Sequence, residues 1–321
     1  MDLKQLNLQQ LKDNVLDTSK IKDYQRCPRY FFYRHVLGWD SESPNNHLVF
    51  GSAWHEAMEH LLLNGYSPNS IVAAYDKFLR YYRSYLPAET DALFDPKTPD
   101  RALYVLSKYA RNYANELDNL EVLYTEIAGK VMIDSDKALA FRMDSVIKDR
   151  KTGRVFSREH KTGSRVWMWD EQWLLDLQPG TYSHVLYCLY PYEEVDRIEM
   201  NGVFFIKRKT DPYDFHRFDV RRTKAQMQVW LNSMRYHLWE ISREYEVLEE
   251  SSDDAVVMQA FPLRESSCIS YGKVCDFQDF CLAWPNPLRR ALDPPLGFQQ
   301  RFWNPLEQEA KKVFEFETKG Y

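Results

Sequence analysis

Apolar and polar residues roughly alternate along FRMDSVIKD (141–149) and RVFSREHK (154–161), the period-two pattern of half-buried strands. The turn-rich run Arg150, Lys151, Thr152, Gly153 separates them, so the stretch reads as a hairpin. With that run as the loop, Asp149 pairs with Arg154. Facing positions in an antiparallel ladder keep a constant sum, which sets Asp144 opposite Glu159. Residues facing in this way carry Cβ atoms about 4.5 to 5.5 Å apart, so two carboxylates meet on one face of the sheet. Lys161 shares that face, while His160 points to the other. Facing carboxylates raise each other's pKa unless a cation lies between them, and a divalent metal is the simplest such cation. The alternative is a solvated hairpin face on which Asp, Glu and Lys neutralise one another.

Elsewhere the period is mostly helical. The first 20 residues form a polar, partly helical lead-in, and SKIKDYQR then starts a helix that Ser19 can cap, with Ile21 and Tyr24 on one side. Cys27 follows, just before Pro28 and the aromatic run Tyr30, Phe31, Phe32, Tyr33; taken alone it reads as a small buried hydrophobe. After SESPNN the segment LVFGSAWHEAMEHLL turns helical, with His55 and Glu59 on one face. Such a pair is usually hydrogen-bonded, although His is also a common ligand for divalent metals. Residues from about 68 to 120 read as a helical insertion, with amphipathic helices around Ser70–Tyr85 and Asp100–Leu117. The strand VLYTEIAGKVMI and the turn DSDK lead into the hairpin and make a three-stranded meander. A helix is predicted over roughly Asp170–Tyr190, with Gln178 and Tyr182 one turn apart on one face, Cys188 in the core, and a kink or break at Pro179. IEMNGVFFIKRK and DPYDFHRFDV are further strands, and a long helix runs from about Thr223 to Leu248.

With 321 residues, 44% of them hydrophobic and 28% charged, the chain has ordinary globular composition and room for one large domain or two smaller ones. No apolar run approaches the roughly 18 residues of a membrane span, and the start is too polar for a secretory signal, so a cytoplasmic protein with no membrane partner is expected. The net charge of −5 speaks against a surface that coats nucleic acid generally. It leaves room for a local basic groove with aromatic faces for stacking bases. Cys268, Cys275 and Cys281 crowd together, and in a reducing compartment clustered cysteines more often bind metal than form disulfides.

In chain order the candidates are Cys27, a helical His55, a hairpin Asp144, the pair Glu159 and Lys161, the helical Gln178 and Tyr182, and the triplet Cys268, Cys275, Cys281. That order resembles the PD-(D/E)XK nuclease superfamily. More narrowly, it is similar to the RecB-like branch that includes the CRISPR-associated iron–sulfur exonucleases and the AddB-type nuclease domains. Each motif is short, and the likeness rests on their order from Cys27 to Cys281. The stretch FRMD lacks a glycine that family members often carry, and the cysteine triplet is more widely spaced at its start than in many relatives.

The resemblance implies an α/β (α+β) fold, with a restriction-endonuclease-like core in which helices flank a central mixed sheet. It implies a single nuclease domain over 1–321, the helical insertion at about 68–120, and an iron–sulfur clasp formed by about 19–38 with 261–284. His55, Asp144 and Glu159 would bind Mg²⁺ or Mn²⁺, with the backbone carbonyl of His160 as a further ligand. Lys161 would orient the attacking water or stabilise the transition state, and Gln178 and Tyr182 would contact substrate or brace the site. Cys27, Cys268, Cys275 and Cys281 would hold a [4Fe-4S] cluster, a four-cysteine zinc site being the alternative. The implied activity is that of a metal-dependent DNA exonuclease acting on single-stranded DNA ends in recombination, repair or CRISPR adaptation. A helicase or CRISPR adaptation proteins are the partners to look for. A non-catalytic DNA-end-binding adaptor and a structure-specific or RNA-directed endonuclease are the competing readings.

Overall fold

A computed structural model describes residues 16–270, 272–290, 293–302, 304 and 312–316. Most of the expected N-terminal lead-in, residues 1–15, lies outside the described residues. The chain begins with β1 (Leu16–Asp17), α1 (Thr18–Arg26), α2 (Pro28–Phe31), β2 (Trp39–Ser41), α3 (Asn46–Asn64), α4 (Pro68–Arg83) and α5 (Pro99–Asn112). There follow β3 (Leu120–Met132), β4 (Ala138–Asp149), β5 (Val155–Gly163), α6 (Trp169–Leu174), α7 (Leu177–Leu189), β6 (Val195–Phe205) and β7 (Tyr213–Val220). The last elements are α8 (Lys224–Glu249), β8 (Ile269–Ser270), β9 (Lys273–Val274), α9 (Gln278–Ala283), β10 (Phe298–Gln300) and β11 (Lys312–Phe316).

Two sequence expectations are corrected at helix ends. Ser19 does not cap α1: the cap is Asp17, whose carboxylate accepts the Lys20 N–H at 2.8 Å, a stronger acceptor two residues earlier. The helix expected over Asp170–Tyr190 is two helices, and the break falls at Leu175–Asp176 rather than at Pro179. Asp176 caps the second helix by accepting the Gln178 N–H, so Pro179 lies in the first turn, where its missing donor costs nothing.

The chain folds into two compact units. One draws on Met1–Ser43, Lys130–Phe141 and Gln228–Glu309, the other on Pro44–Gly129, Arg142–Met227 and Ala310–Tyr321. The main sheet runs in the order β11-β3-β4-β5-β6-β7, and β1 pairs with β4. The β4–β5 pair is antiparallel, β5–β6 parallel and β6–β7 antiparallel, which makes it a mixed sheet. The hairpin register is the expected one: Ser145 faces Arg158 and Lys148 faces Val155, and the Asp149 N–H donates to the Arg154 carbonyl at 2.9 Å.

Helix α3 buries Phe50, Ala53, Trp54, Ala57 and Leu61, spaced for one helical face. This face shares a core with Phe78 and Tyr82 of α4, Val105 and Tyr109 of α5, and Val203 and Phe205 of β6. The Phe50 and Trp54 rings meet Phe205 edge-on at 4.8 and 5.2 Å. Beside this core the sheet carries a buried polar network. Arg158 donates to Glu199 at 2.5 Å and to Glu116 at 3.1 and 3.2 Å. Arg217 donates to Glu116, to the Asn201 side-chain oxygen and to the Tyr109 hydroxyl.

In the first unit the N-terminal segment packs against the chain near its other end. Arg29 donates to the carbonyls of Phe261 (2.9 Å) and Met258 (3.2 Å), and its backbone N–H donates to Pro262. Tyr33 lies 5.2 Å from Phe277, and Trp39 lies 5.6 Å from Phe280.

Arg158 is 2% exposed and neutralises two carboxylates, so its removal strands buried charge. Arg158→Met is expected to lower unfolding stability by about 3–5 kcal/mol in urea titrations, and a midpoint equal to that of the unmodified protein would show that the network does not hold the sheet.

Candidate active site and cysteine cluster

The regular β4–β5 pairing stops at Ser145–Arg158, whereas the β5–β6 pairing continues through Lys161–Gly202 to Gly163–Phe204. Where β4 and β5 part, side chains take over the hydrogen bonding. The His160 N–H donates to Asp144 Oδ2 at 2.7 Å, and the Asp144 N–H reaches Glu159 Oε1 at 3.4 Å. Glu159 also accepts the Ser157 hydroxyl at 2.7 Å and is 1% exposed. From α3, His55 Nδ1 meets Asp144 Oδ1 at 2.9 Å. His55, Asp144, Glu159 and Lys161 are thus gathered at one place in the second unit.

Glu126 of β3 joins them without having been expected. Among the described residues, His55, Glu126 and Asp144 are the trio whose ligand atoms all lie within 4.8 Å of one another. Glu126 accepts two bonds from Arg142, at 3.0 and 2.8 Å, and holds a φ of +48°, a left-handed conformation that costs a non-glycine residue energy. The sequence carried no usable signal for it: with DSDK as a four-residue loop Ile133 would face Ala138 and Glu126 would face Ser145, whereas in the structure Ile133 donates to the Lys137 carbonyl.

The site concentrates negative charge. Burial opposes the charge on Asp144, yet His55 and Lys161 hold its carboxyl well below the usual range. Burial and then the Asp144 charge push Glu159 well above it. The same two causes, partly offset by Arg142, raise Glu126 to about 7. His55 is raised too, because the Asp144 charge outweighs the burial that works against its imidazolium. The two raised carboxyls are those beside an ionised Asp144, which is the electrostatic setting a divalent cation would relieve.

His160 turns its side chain to the other face of β5, as its place on the strand dictates, with its ring edge-on to His55 at 6.2 Å. Its Nδ1 lies 2.7 Å from the Asn201 amide nitrogen, and burial drives its pKa down to about 3. Gln178 and Tyr182 form a hydrogen-bonded chain to strand β4. Gln178 Nε2 donates to the Tyr182 hydroxyl at 2.7 Å, and that hydroxyl donates to the Arg142 carbonyl at 2.5 Å, two residues before Asp144. Lys97 also went unnoticed in the sequence: it donates to the Thr162 carbonyl and hydroxyl at 3.3 and 3.1 Å, beside Lys161, and burial lowers its pKa to about 8.

Cys27, Cys268, Cys275 and Cys281 lie in the first unit with free thiols. The β8–β9 hairpin folds the chain between Cys268 and Cys275 back on itself, so the Cys275 N–H donates to the Cys268 carbonyl at 2.9 Å. Cys27 separates α1 from α2, and Cys281 rides on α9. Burial, together with the proximity of the other three thiols, pushes Cys281 up to about 11. Cys281 thus feels the sulfurs of Cys27, Cys275 and Cys268.

A mixed sheet flanked by helices, with an acidic cluster where two strands separate, is the restriction-endonuclease-like arrangement. The chain matches the family model of the PD-(D/E)XK nuclease superfamily over residues 16–282 and belongs to that superfamily. Among solved structures it is similar to one from Eubacterium rectale named a "Putative exonuclease", with a TM-score of 0.48, 14% identity, and coverage of 77% of this chain and 86% of that one. A search of curated proteins finds no match.

The raised Glu126 carboxyl has a pH signature. Its proton is held to about 7 in the folded chain but is lost near 4.5 when unfolded, so this contribution to stability is full below 4.5 and disappears as pH rises through 7. In metal-free protein, Glu126→Gln is therefore expected to lose less thermal stability than the unmodified protein between about pH 5 and about pH 8. Parallel melting curves would overturn the assignment.

Proposed function

We propose that this protein is a divalent-metal-dependent deoxyribonuclease of the RecB-like kind, which shortens single-stranded DNA from its ends and carries a structural [4Fe-4S] cluster. The observation that carries the reading is the meeting of Asp144, Glu159 and Lys161 with His55 and Glu126 where β4 and β5 part. Carboxylate oxygens and one imidazole are the donor set that suits Mg²⁺ or Mn²⁺. His55, Glu126, Asp144 and Glu159, with the carbonyl of His160, would hold the ion. When bound, it would lower the pKa of a coordinated water and offset charge developing on the scissile phosphate.

The chain's own groups do the rest. The His160 N–H fixes the rotamer of Asp144 through its 2.7 Å bond, so the carboxylate needs no rearrangement on binding the ion. Lys161, on the strand face of Glu159, orients the attacking water and carries positive charge towards the phosphate. Tyr182 and Gln178 brace β4 at Arg142 and act as positioning residues.

For the cysteines, four free thiols gathered in one unit match the four-thiolate ligation of a [4Fe-4S] cluster. Cys27, Cys268, Cys275 and Cys281 would hold it and add a covalent seam between the segments already joined through Arg29 and Phe277.

Cleavage is tested on linear single-stranded DNA labelled at either end, with anaerobically purified protein in Mn²⁺, Mg²⁺ or EDTA. Metal-dependent loss of label that disappears in Asp144→Ala and Glu159→Ala supports the nuclease, and the order in which the ends shorten gives the polarity. DNA binding without cleavage by intact protein would replace this reading with an adaptor that keeps the fold.

The cluster has its own test. Broad visible absorbance with stoichiometric iron is expected, retained in Glu159→Ala and lost in Cys275→Ser together with thermal stability. A colourless protein containing stoichiometric zinc would reject iron and sulfur.

A further inference from the structure

The chain between Lys161 and Gln178 forms a braced corner that holds one large ring out to solvent. Trp169 and Trp173 anchor it. The Trp169 ring packs edge-on against Trp173 at 5.1 Å and Phe204 at 4.9 Å, and it covers Gly202, where a Cβ would sit 2.7 Å from the Trp169 ring. Gly202 is the residue paired with Lys161 in the parallel β5–β6 ladder. The anchoring indole therefore lies on the same sheet face as Glu159 and Lys161, one strand spacing of about 4.8 Å from the lysine.

Two residues before this anchor, Trp167 is 82% exposed. Between the two rings Met168 takes a φ of +55°, a conformation a non-glycine residue holds only when its surroundings enforce it, and this turn aims one indole inward and the other outward. The corner is tied down on its far side. Arg222 donates to the carbonyls of Leu174 and Asp176 at 3.3 and 2.7 Å, and Asp170 pairs with His216 at 2.7 Å. Trp167 is thus displayed by a fixed turn, flanked by the exposed Arg165 and Met168.

We propose that Trp167 is a stacking platform for an unpaired base of the substrate strand and that it biases the enzyme towards single-stranded DNA. The inference rests on the nuclease reading above. The turn that displays Trp167 is anchored through Trp169 over Gly202, the ladder partner of Lys161, so a strand whose phosphate reaches the Glu159–Lys161 row has an exposed indole on a neighbouring turn. An indole face accepts any base, which suits an enzyme with no sequence to read. Arg165 supplies a cation for the adjoining phosphate. Bases inside a duplex are already stacked on both sides and gain nothing from the ring; a terminal pair has a single open face, so the gain is greatest for unpaired bases.

The test measures binding in EDTA, where strands stay intact, to three DNAs: a single strand, the same strand carrying a run of abasic positions, and a blunt duplex. Trp167→Ala is expected to weaken binding to the normal strand by about 10-fold, while Trp167→Phe keeps most of the affinity. The unmodified protein should bind the abasic strand about as weakly as the variant binds the normal one, and Trp167→Ala should lose little more on that strand or on the duplex. An equal loss on all three DNAs, or no loss on any, overturns the proposal while leaving the nuclease reading intact. Unchanged DNA binding together with a shift from oligomer to monomer in Trp167→Ala would give the surface to a second copy of the chain and also overturn it. Failure of the unmodified protein to bind or cut any DNA sinks the nuclease reading and this one with it.

Discussion

The candidate site depends on the parting of β4 and β5. Strand β5 is held along its length by parallel pairing to β6, as far as Gly163, whereas β4 leaves it after Ser145–Arg158. The backbone N–H of His160 then has no strand partner, and a buried donor in that state costs free energy. Asp144 accepts it at 2.7 Å. One backbone group thus fixes the carboxylate, His55 approaches the other oxygen of the same side chain, and the remaining acidic groups take their electrostatics from it.

Alternation along β5 divides two tasks between its faces. Glu159 and Lys161 stand on one face, with Gly202 leaving room beside the lysine for the Trp169 ring. Arg158 and His160 belong to the other, where Glu199, Glu116, Asn201 and Arg217 form a connected network of buried charges and amides. Such networks give little net stability compared with an apolar core, but a half-broken one is costly, so they make one register much better than its neighbours. A shift of β5 by a single residue would bring Arg158 to the acidic site and Glu159 into the network. The polar face therefore protects the register on which the acidic face relies.

The hairpin and its register were legible because a short turn and a period of two fix them locally. The order of the site residues was legible because each lies on an element with a clear period. Glu126 was not singled out: no motif marks it, and it reaches Asp144 through the β3–β4 pairing rather than through sequence spacing. Taken as a four-residue loop, the DSDK turn sets Glu126 against Ser145, one residue out of register, so the strand pattern alone does not place it. The break at Leu175–Asp176 was missed for a different reason. Proline draws attention as a helix breaker, yet Pro179 sits where a helix tolerates it, and the stop belongs to the capping aspartate before it.

The wide spacing at the start of the cysteine triplet has a simple spatial meaning. A hairpin built from two two-residue strands and a tight turn consumes the residues between Cys268 and Cys275, and its closing bond joins those two cysteines. Extra residues in sequence therefore add almost no distance in space. Cys27 is brought to the same place by contacts that need no metal: the Arg29 bonds to Met258 and Phe261, the tilted packing of Tyr33 on Phe277 and the edge-on packing of Trp39 on Phe280. Burial raises the pKa of Cys275 and of Cys281, so these two thiols hold their protons until a cation displaces them. The aromatic seam closes the first unit and gathers the four thiols, and the proposed cluster would turn that gathering into a cross-link between segments far apart in the chain.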